Sequence, residues 1–305
     1  MGPSMPVSID DILSALRTFD GTYPREMVAA ALQRREEITP RLIAILEEII
    51  ADPEGFLEAE DRFDHIYALM LLGHFRAVQA HAAIVQIFSL KPKQVADLFA
   101  DHVAEALPVV LLRTCGGDLR HIRIMALDRS LDTYCRLAAV QAMVYAVAAG
   151  IAHREEVLTF IAGLFAGAPQ EPDSAFFSFA AVSLLNLYPE EHMALIEKAF
   201  EDEIIDPAIV ELEDFEETLA LGQAHAQVRL RQELDRYDLA DLHARMSGWA
   251  CFDNNQEWAA AEGPQDLFDS GLFGSPQPNP AGKKDGPPRK RRPKRTKLLK
   301  RKSRP

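Results

Sequence analysis

Cysteine is scarce in this chain, and what there is stands badly placed for chemistry. Three residues, Cys115, Cys135 and Cys251, lie far apart with no Cys-x-x-Cys pair. That spacing excludes a thiolate zinc knuckle and a dithiol redox couple, and the apolar neighbours of each read as those of a small buried hydrophobe. Long apolar runs are missing too. The longer ones, such as Ala142–Ala149, fall well short of the roughly 20 residues that cross a bilayer. The opening MGPSMPVS has no basic segment leading into an apolar core, and Pro6 stands where N-myristoylation needs Ser or Thr. A cytoplasmic protein without membrane contact is the expectation.

Catalytic signatures are absent as well. There is no G-x-S-x-G elbow, no G-x-x-x-x-G-K-[ST] phosphate loop and no G-x-G-x-x-G turn. The histidines form no H-E-x-x-H motif, and Glu190-Glu191-His192 has the wrong order. His65 follows Asp61 by four residues, and His74 and His81 lie seven apart, so helix spacing aligns some of them without making a site. No metal or cofactor is expected. Cys115-Gly-Gly-Asp118 reads as one helix ending on its glycines and the next capped by Asp118, rather than as an exposed reactive thiol.

What the chain does have is an apolar fraction of 48% with 26% charged residues, which is ordinary globular composition and rules out wholesale disorder. The net charge of −13 averages two unlike parts. Lys283–Pro305 holds thirteen of the 33 bases and one of the 46 acids, a charge of +12 against −25 for the rest. Residues 262–288 are rich in Gly, Pro, Asp and Ser and read as a linker.

Helical signals fill the remainder, and alternating β-branched runs and Asn-Gly hairpin turns are wanting. Ser8 caps a first helix with Asp10 and Asp11 at its positive end. Gly21 breaks the pattern and Pro24 opens a second helix. Thr39-Pro40 is expected to open a third, which Asp52-Pro53 ends. Asp64–Phe88 reads as two short apolar helices joined by a tight turn, and related pairs follow it. Small residues mark the first helix of each pair, Ala68, Ala104, Ala139 and Ala181, at spacings of 36, 35 and 42. The second helices are expected over Ala82–Phe88, Leu119–Leu127, Val157–Phe165 and Met193–Phe200. Asp132 caps a helix through Ala149 that Gly150 closes, Pro189 begins another, an amphipathic segment follows Pro207, and Val228–Met246 supplies a last long helix or pair. Trp249 and Trp258 flank the end of this body as packing residues.

Spacings of this size are those of stacked helical hairpins, nearer to HEAT or armadillo arrays than to tetratricopeptides. The expected fold is therefore all-α. It is a helical-repeat solenoid or an irregular helical array over 8–253, then a flexible linker over 254–282 and a basic, disordered tail over 283–305. Ile9-Asp-Asp-Ile-Leu, Arg35-Glu-Glu-Ile-Thr-Pro40, His65-Ile-Tyr-Ala-Leu, Ala199-Phe-Glu-Asp and Trp249-Ala-Cys-Phe252 give residues 8–253 a resemblance to the bacterial domain-of-unknown-function family 1186. That resemblance implies an all-helical fold and no settled activity. Members of that family often end in a SecA-type cysteine-rich zinc motif. This chain has neither cysteine nor histidine after Cys251, so zinc binding does not carry over.

Two charge features bear on partners. Arg289, Lys290, Arg291, Arg292, Lys294, Arg295 and Lys297 suit a phosphate backbone, and the lack of interleaved aromatics makes any such contact non-specific. Glu201, Asp202, Glu203, Asp206, Glu211, Glu213, Asp214, Glu216 and Glu217 crowd together with no base among them. They form either a solvated face or an acidic flank for the tail or a basic partner. The expected function is a non-enzymatic protein-interaction scaffold or adaptor. The alternative is a nucleic-acid- or ribosome-associated factor anchored by its basic tail.

Overall fold

The computed structural model describes residues 7–59, 62–99, 105–166 and 174–252, all within the unit Met1–Ser275. Ala104, the linker, Trp258 and the basic tail lie outside the described residues. The described chain is helical, with no strand and a lone bridge between Thr18 and Arg62.

Three helices open it: α1 (Ile9–Arg17), α2 (Arg25–Gln33) and α3 (Arg35–Ala51). Ser8 caps α1 as the sequence leads one to expect, in a box with Asp11. The third helix differs from expectation. It begins at Arg35, so Pro40 sits inside it rather than at its first position. The lost N–H leaves the Glu36 carbonyl without its helical donor, while the Thr39 hydroxyl donates back to Arg35 O at 2.7 Å. Full burial of Ile38 and Leu42 on either side of the proline holds the helix continuous. A short α4 (Pro53–Glu58), capped by Asp52, follows.

Next comes the stack. Its first helices are α5 (Asp64–His74), α8 (Leu107–Thr114), α10 (Thr133–Ala148) and α12 (Ser174–Asn186). Its second helices are α6 (His81–Ile87), α9 (Arg120–Leu127), α11 (Arg154–Ala166) and α13 (Met193–Glu201), within a few residues of the expected spans. An extra helix, α7 (Pro92–Phe99), precedes α8. The first helices pack in chain order, α3 on α5, α5 on α8, α8 on α10 and α10 on α12. Ala68, Ala139 and Ala181 are fully buried in that row, where a bare methyl lets neighbouring backbones approach. Every residue from Asp64 to Gly73 and from Cys135 to Ala146 is buried, which is why these helices read as apolar on all sides rather than striped.

Three helices end on one device. After α5, α10 and α13 the chain passes through a left-handed residue, Arg76 (φ 52°), Gly150 (φ 71°) and Glu203 (φ 58°). The next amide reaches back into the last turn, as Ile151 N does to Ala146 O at 2.8 Å. Guanidinium groups complete the job at helix ends where carbonyls lack donors. Arg136 donates to Ala126 O. Arg154, its side chain 10% exposed, donates to Leu187 O and Tyr188 O and pairs with Glu191.

After α13 the chain turns back through α14 (Leu212–Leu221), α15 (Gln223–Tyr237) and α16 (Leu242–Met246). Gly222 (φ 87°, ψ 160°) joins α14 to α15, a backbone state open to glycine alone. The last long segment is thus a pair. Helix α15 lies on α10 and α12, and α16 lies on α5, so the return covers the face of the first-helix row that its stacking partners leave bare.

Candidate functional site

The returning segment retraces the stack in reverse, and its polar contacts mark the path. Arg229 donates to Asn186 Oδ1 of α12 at 3.3 Å, and Arg231 to Ala148 O at the end of α10 at 2.8 Å. Arg113 of α8 pairs with Asp238. His74 of α5 donates its Nδ1 proton to Leu239 O at 2.6 Å, and Tyr23 meets His243 Nδ1 at 2.9 Å. The groove that an open helical array would offer along its first helices is here filled by the chain itself.

One ionisable group sits half-buried in that seam. Gln141 Nε2 (3.1 Å) and Tyr145 OH (2.9 Å), both on buried residues of α10, donate to Glu233 Oε1. Burial raises the Glu233 carboxyl above the ordinary glutamate value, against the pull of the Tyr145 hydrogen bond, Arg229 and Arg236. A raised folded value means that ionisation opposes folding. This cost is absent below the unfolded value near 4.5 and grows as pH rises through the folded one. Glu233→Gln keeps an acceptor for both donors and removes the charge. The variant should melt higher than the parent at pH 8 and lose that advantage as pH falls toward 4.5, followed by calorimetry. Glu233→Ala strands both donors and should cost about 1–3 kcal/mol.

A second polar cluster gathers where α6 and α9 begin. Ring stacking pairs His81 with His121, centroids 5.8 Å apart and planes inclined by 29°. Thr114 Oγ1 lies 3.0 Å from His81 Nδ1, and Asp118 accepts from Arg120 beside them. His81 is 6% exposed, and its Nε2 is buried without a partner. Burial, with His121 adding to it, pushes His81 down to about 4. Cys115 next door is no nucleophile: it is buried, its thiol faces Leu112 O and burial raises its pKa. His65 is buried too, donating from Nε2 to Leu98 O at 2.7 Å within a ring of Phe56, Phe63 and Phe99. Among the described residues, no three His, Cys, Asp or Glu side chains already converge on a metal position.

Of the residues singled out from sequence, Glu211, Glu213, Glu216 and Glu217 are exposed and Asp214 is half-buried at the start of α14. Asp214 is a helix-capping group, its Oδ2 2.9 Å from Glu211 N. Arg289 to Lys297 lie outside the described residues. Composition alone could not single out the exposed apolar side chains on the second-helix side: Val78 before α6 (53% exposed), Ile124 and Leu127 on α9 (61% and 55%), and Ile151 before α11 (43%). Two open clefts flank α3. One of about 500 Å³ is lined by Arg35, Thr39, Pro40 and Gln79 among others. The other, of about 350 Å³, is crossed by the Arg62–Asp64 and Arg41–Asp10 pairs, which neutralise it.

These features define an all-α array of stacked helical hairpins whose first-helix row is sealed by its own carboxy-terminal return. No described helix is long and apolar enough to cross a membrane. Residues 7–253 match the family model described as protein of unknown function (DUF1186), and the chain belongs to that family. It is similar to an uncharacterized protein of Chlamydia trachomatis serovar D, 29% identical over 212 residues that cover 70% of this chain and 84% of the relative. A second uncharacterized protein, from Chlamydia muridarum, is 28% identical over 210 residues, covering 69% and 84%. No solved structure matches the chain.

Proposed function

We propose that this protein is a cytoplasmic, non-enzymatic interaction scaffold that engages a protein partner on its second-helix side. One observation carries the reading. Seven large apolar side chains are exposed among the described residues, and four of them, Val78, Ile124, Leu127 and Ile151, sit on or just before three consecutive second helices. Singly exposed apolar residues need no explanation, but a run of them on adjacent elements is how a docking face is built. The opposite row offers no such face, because α15 and α16 occupy it.

The charge of +12 on Lys283–Pro305 favours a second reading, contact with RNA or DNA phosphates. One experiment separates the two. Capture from the native host is run with the full chain, with Ile124→Glu/Leu127→Glu, and with a chain ending at Asp285. Both substituted residues are exposed, so stability should hold within about 0.5 kcal/mol. The scaffold reading expects the protein partner to be lost from the double variant and kept by the shortened chain. Nucleic acid retained by the double variant, released by shortening and weakened steeply by salt would favour the tail instead.

A further inference from the structure

We propose that His81 and His121 form a site for one divalent transition-metal ion of the zinc class, where α6 meets α9, with solvent completing the coordination. Thr114 donates its only proton to Val110 O at 2.8 Å, so its oxygen must accept from His81 Nδ1 at 3.0 Å. The His81 proton is thereby fixed on Nδ1, and Nε2 is left as a bare lone pair. That atom is buried on a residue 6% exposed, and it has no hydrogen-bond partner. Leaving it so costs stability, and a metal ion, to which the nitrogen gives its electron pair, is a partner it suits.

The second imidazole is already beside it. His121 is exposed, and among the described residues no hydrogen bond ties either ring nitrogen. Its centroid lies 5.8 Å from that of His81. Zinc–nitrogen bonds of about 2.0–2.1 Å place the centroids of two rings sharing one tetrahedral ion ~5 Å apart, so the exposed His121 ring has to approach His81 and turn out of its stacked orientation to bring a lone pair onto the ion. Asp118 faces both rings: its charge pulls His81 up against burial, and His121 helps hold the Asp118 carboxyl low. It supplies a negative field beside the two rings. Thr114 plays the outer part, fixing the tautomer and orientation of the inner ligand through its other nitrogen.

The full-length chain, purified without a histidine tag and stripped by chelator, is titrated with Zn²⁺ by calorimetry and with Co²⁺ by visible absorption. One ion per chain is expected. His121→Ala, a surface change, should lower affinity at least tenfold. Thr114→Val, which keeps the shape and removes the orienting hydroxyl, should lower it about 10–100-fold. His153→Ala, an exposed histidine at the next helix start, should leave it unaltered. Absence of binding overturns the proposal, as does an affinity that His121→Ala and Thr114→Val leave unchanged. Should His81→Gln fail to fold, those two variants carry the test without it.

Discussion

Replacing Arg62 with alanine is expected to cost the protein about 3–5 kcal/mol, enough to unfold much of a marginally stable body. Arg62 sits between α4 and α5 with its side chain 8% exposed. It donates to Asp64 (6% exposed) at 2.9 Å and to Glu48 at 2.6 Å, and it lies over the Phe56 ring at 3.8 Å. It therefore joins the end of α3, the start of α5 and the aromatic face of α4 at one point. Beside it, Phe63 N bonds Arg17 O at 2.9 Å, tying α1 into the same joint. Truncation leaves Asp64 buried without its counter-charge, which is far worse than never having a pair there. Arg62→Met with Asp64→Asn should accordingly recover most of the loss. The acid limb gives an independent check. Hydrogen bonding to Arg62 holds the Glu48 carboxyl below its usual value. This stabilisation is present above the unfolded value near 4.5 and is lost as pH falls through the folded one. The gap between parent and Arg62→Ala should therefore narrow in acid. Urea unfolding at pH 7 and pH 4 reads both effects, and a loss under 1 kcal/mol at pH 7 would show the joint to be slack.

Sequence alone made the stack legible because its signals are local. Asp132 and Gly150 bracket α10 whatever surrounds it, and Ala68, Ala139 and Ala181 announce a buried row by their spacing. The start of α3 was hidden because Pro40 reads as a first-turn residue, and only the packing of Ile38 and Leu42 shows that the helix runs through it. The covered groove was hidden for a different reason. Ala226, Leu230, Leu234 and Tyr237 make a thin apolar stripe on a polar helix, which foretells an amphipathic α15 but not the row it closes. The histidine pair needed helix starts before it could be seen. His81, His121, His153 and His192 each stand within two residues of where a second helix begins. Without those boundaries they are four scattered members of a set of nine.

The closed groove makes its own prediction, and it is one of compensation. Gly73 lies in the last turn of α5, and a Cβ built on it would stand 2.7 Å from Leu239 Cδ1 and 2.9 Å from Val110 Cγ2. Glycine costs a helix interior about 1 kcal/mol against alanine and less near its end, and the close approach of the return explains its presence here. Leu239 is fully buried, so Leu239→Ala should lose about 2–5 kcal/mol to the cavity it opens. Gly73→Ala pushes a methyl into occupied space and should lose about 1–3 kcal/mol, since the Val110 side chain cannot swing clear. Made together, the two changes act on the same volume with opposite sign. The new methyl takes part of the space that Leu239 vacates, and the helix gains alanine's propensity. The double variant should thus be more stable than the two losses summed, by a coupling of about 1–2 kcal/mol. A double-mutant cycle by denaturant unfolding measures this directly. Strict additivity would mean that Leu239 is not seated against Gly73 in solution and that the first-helix row is open to a partner after all.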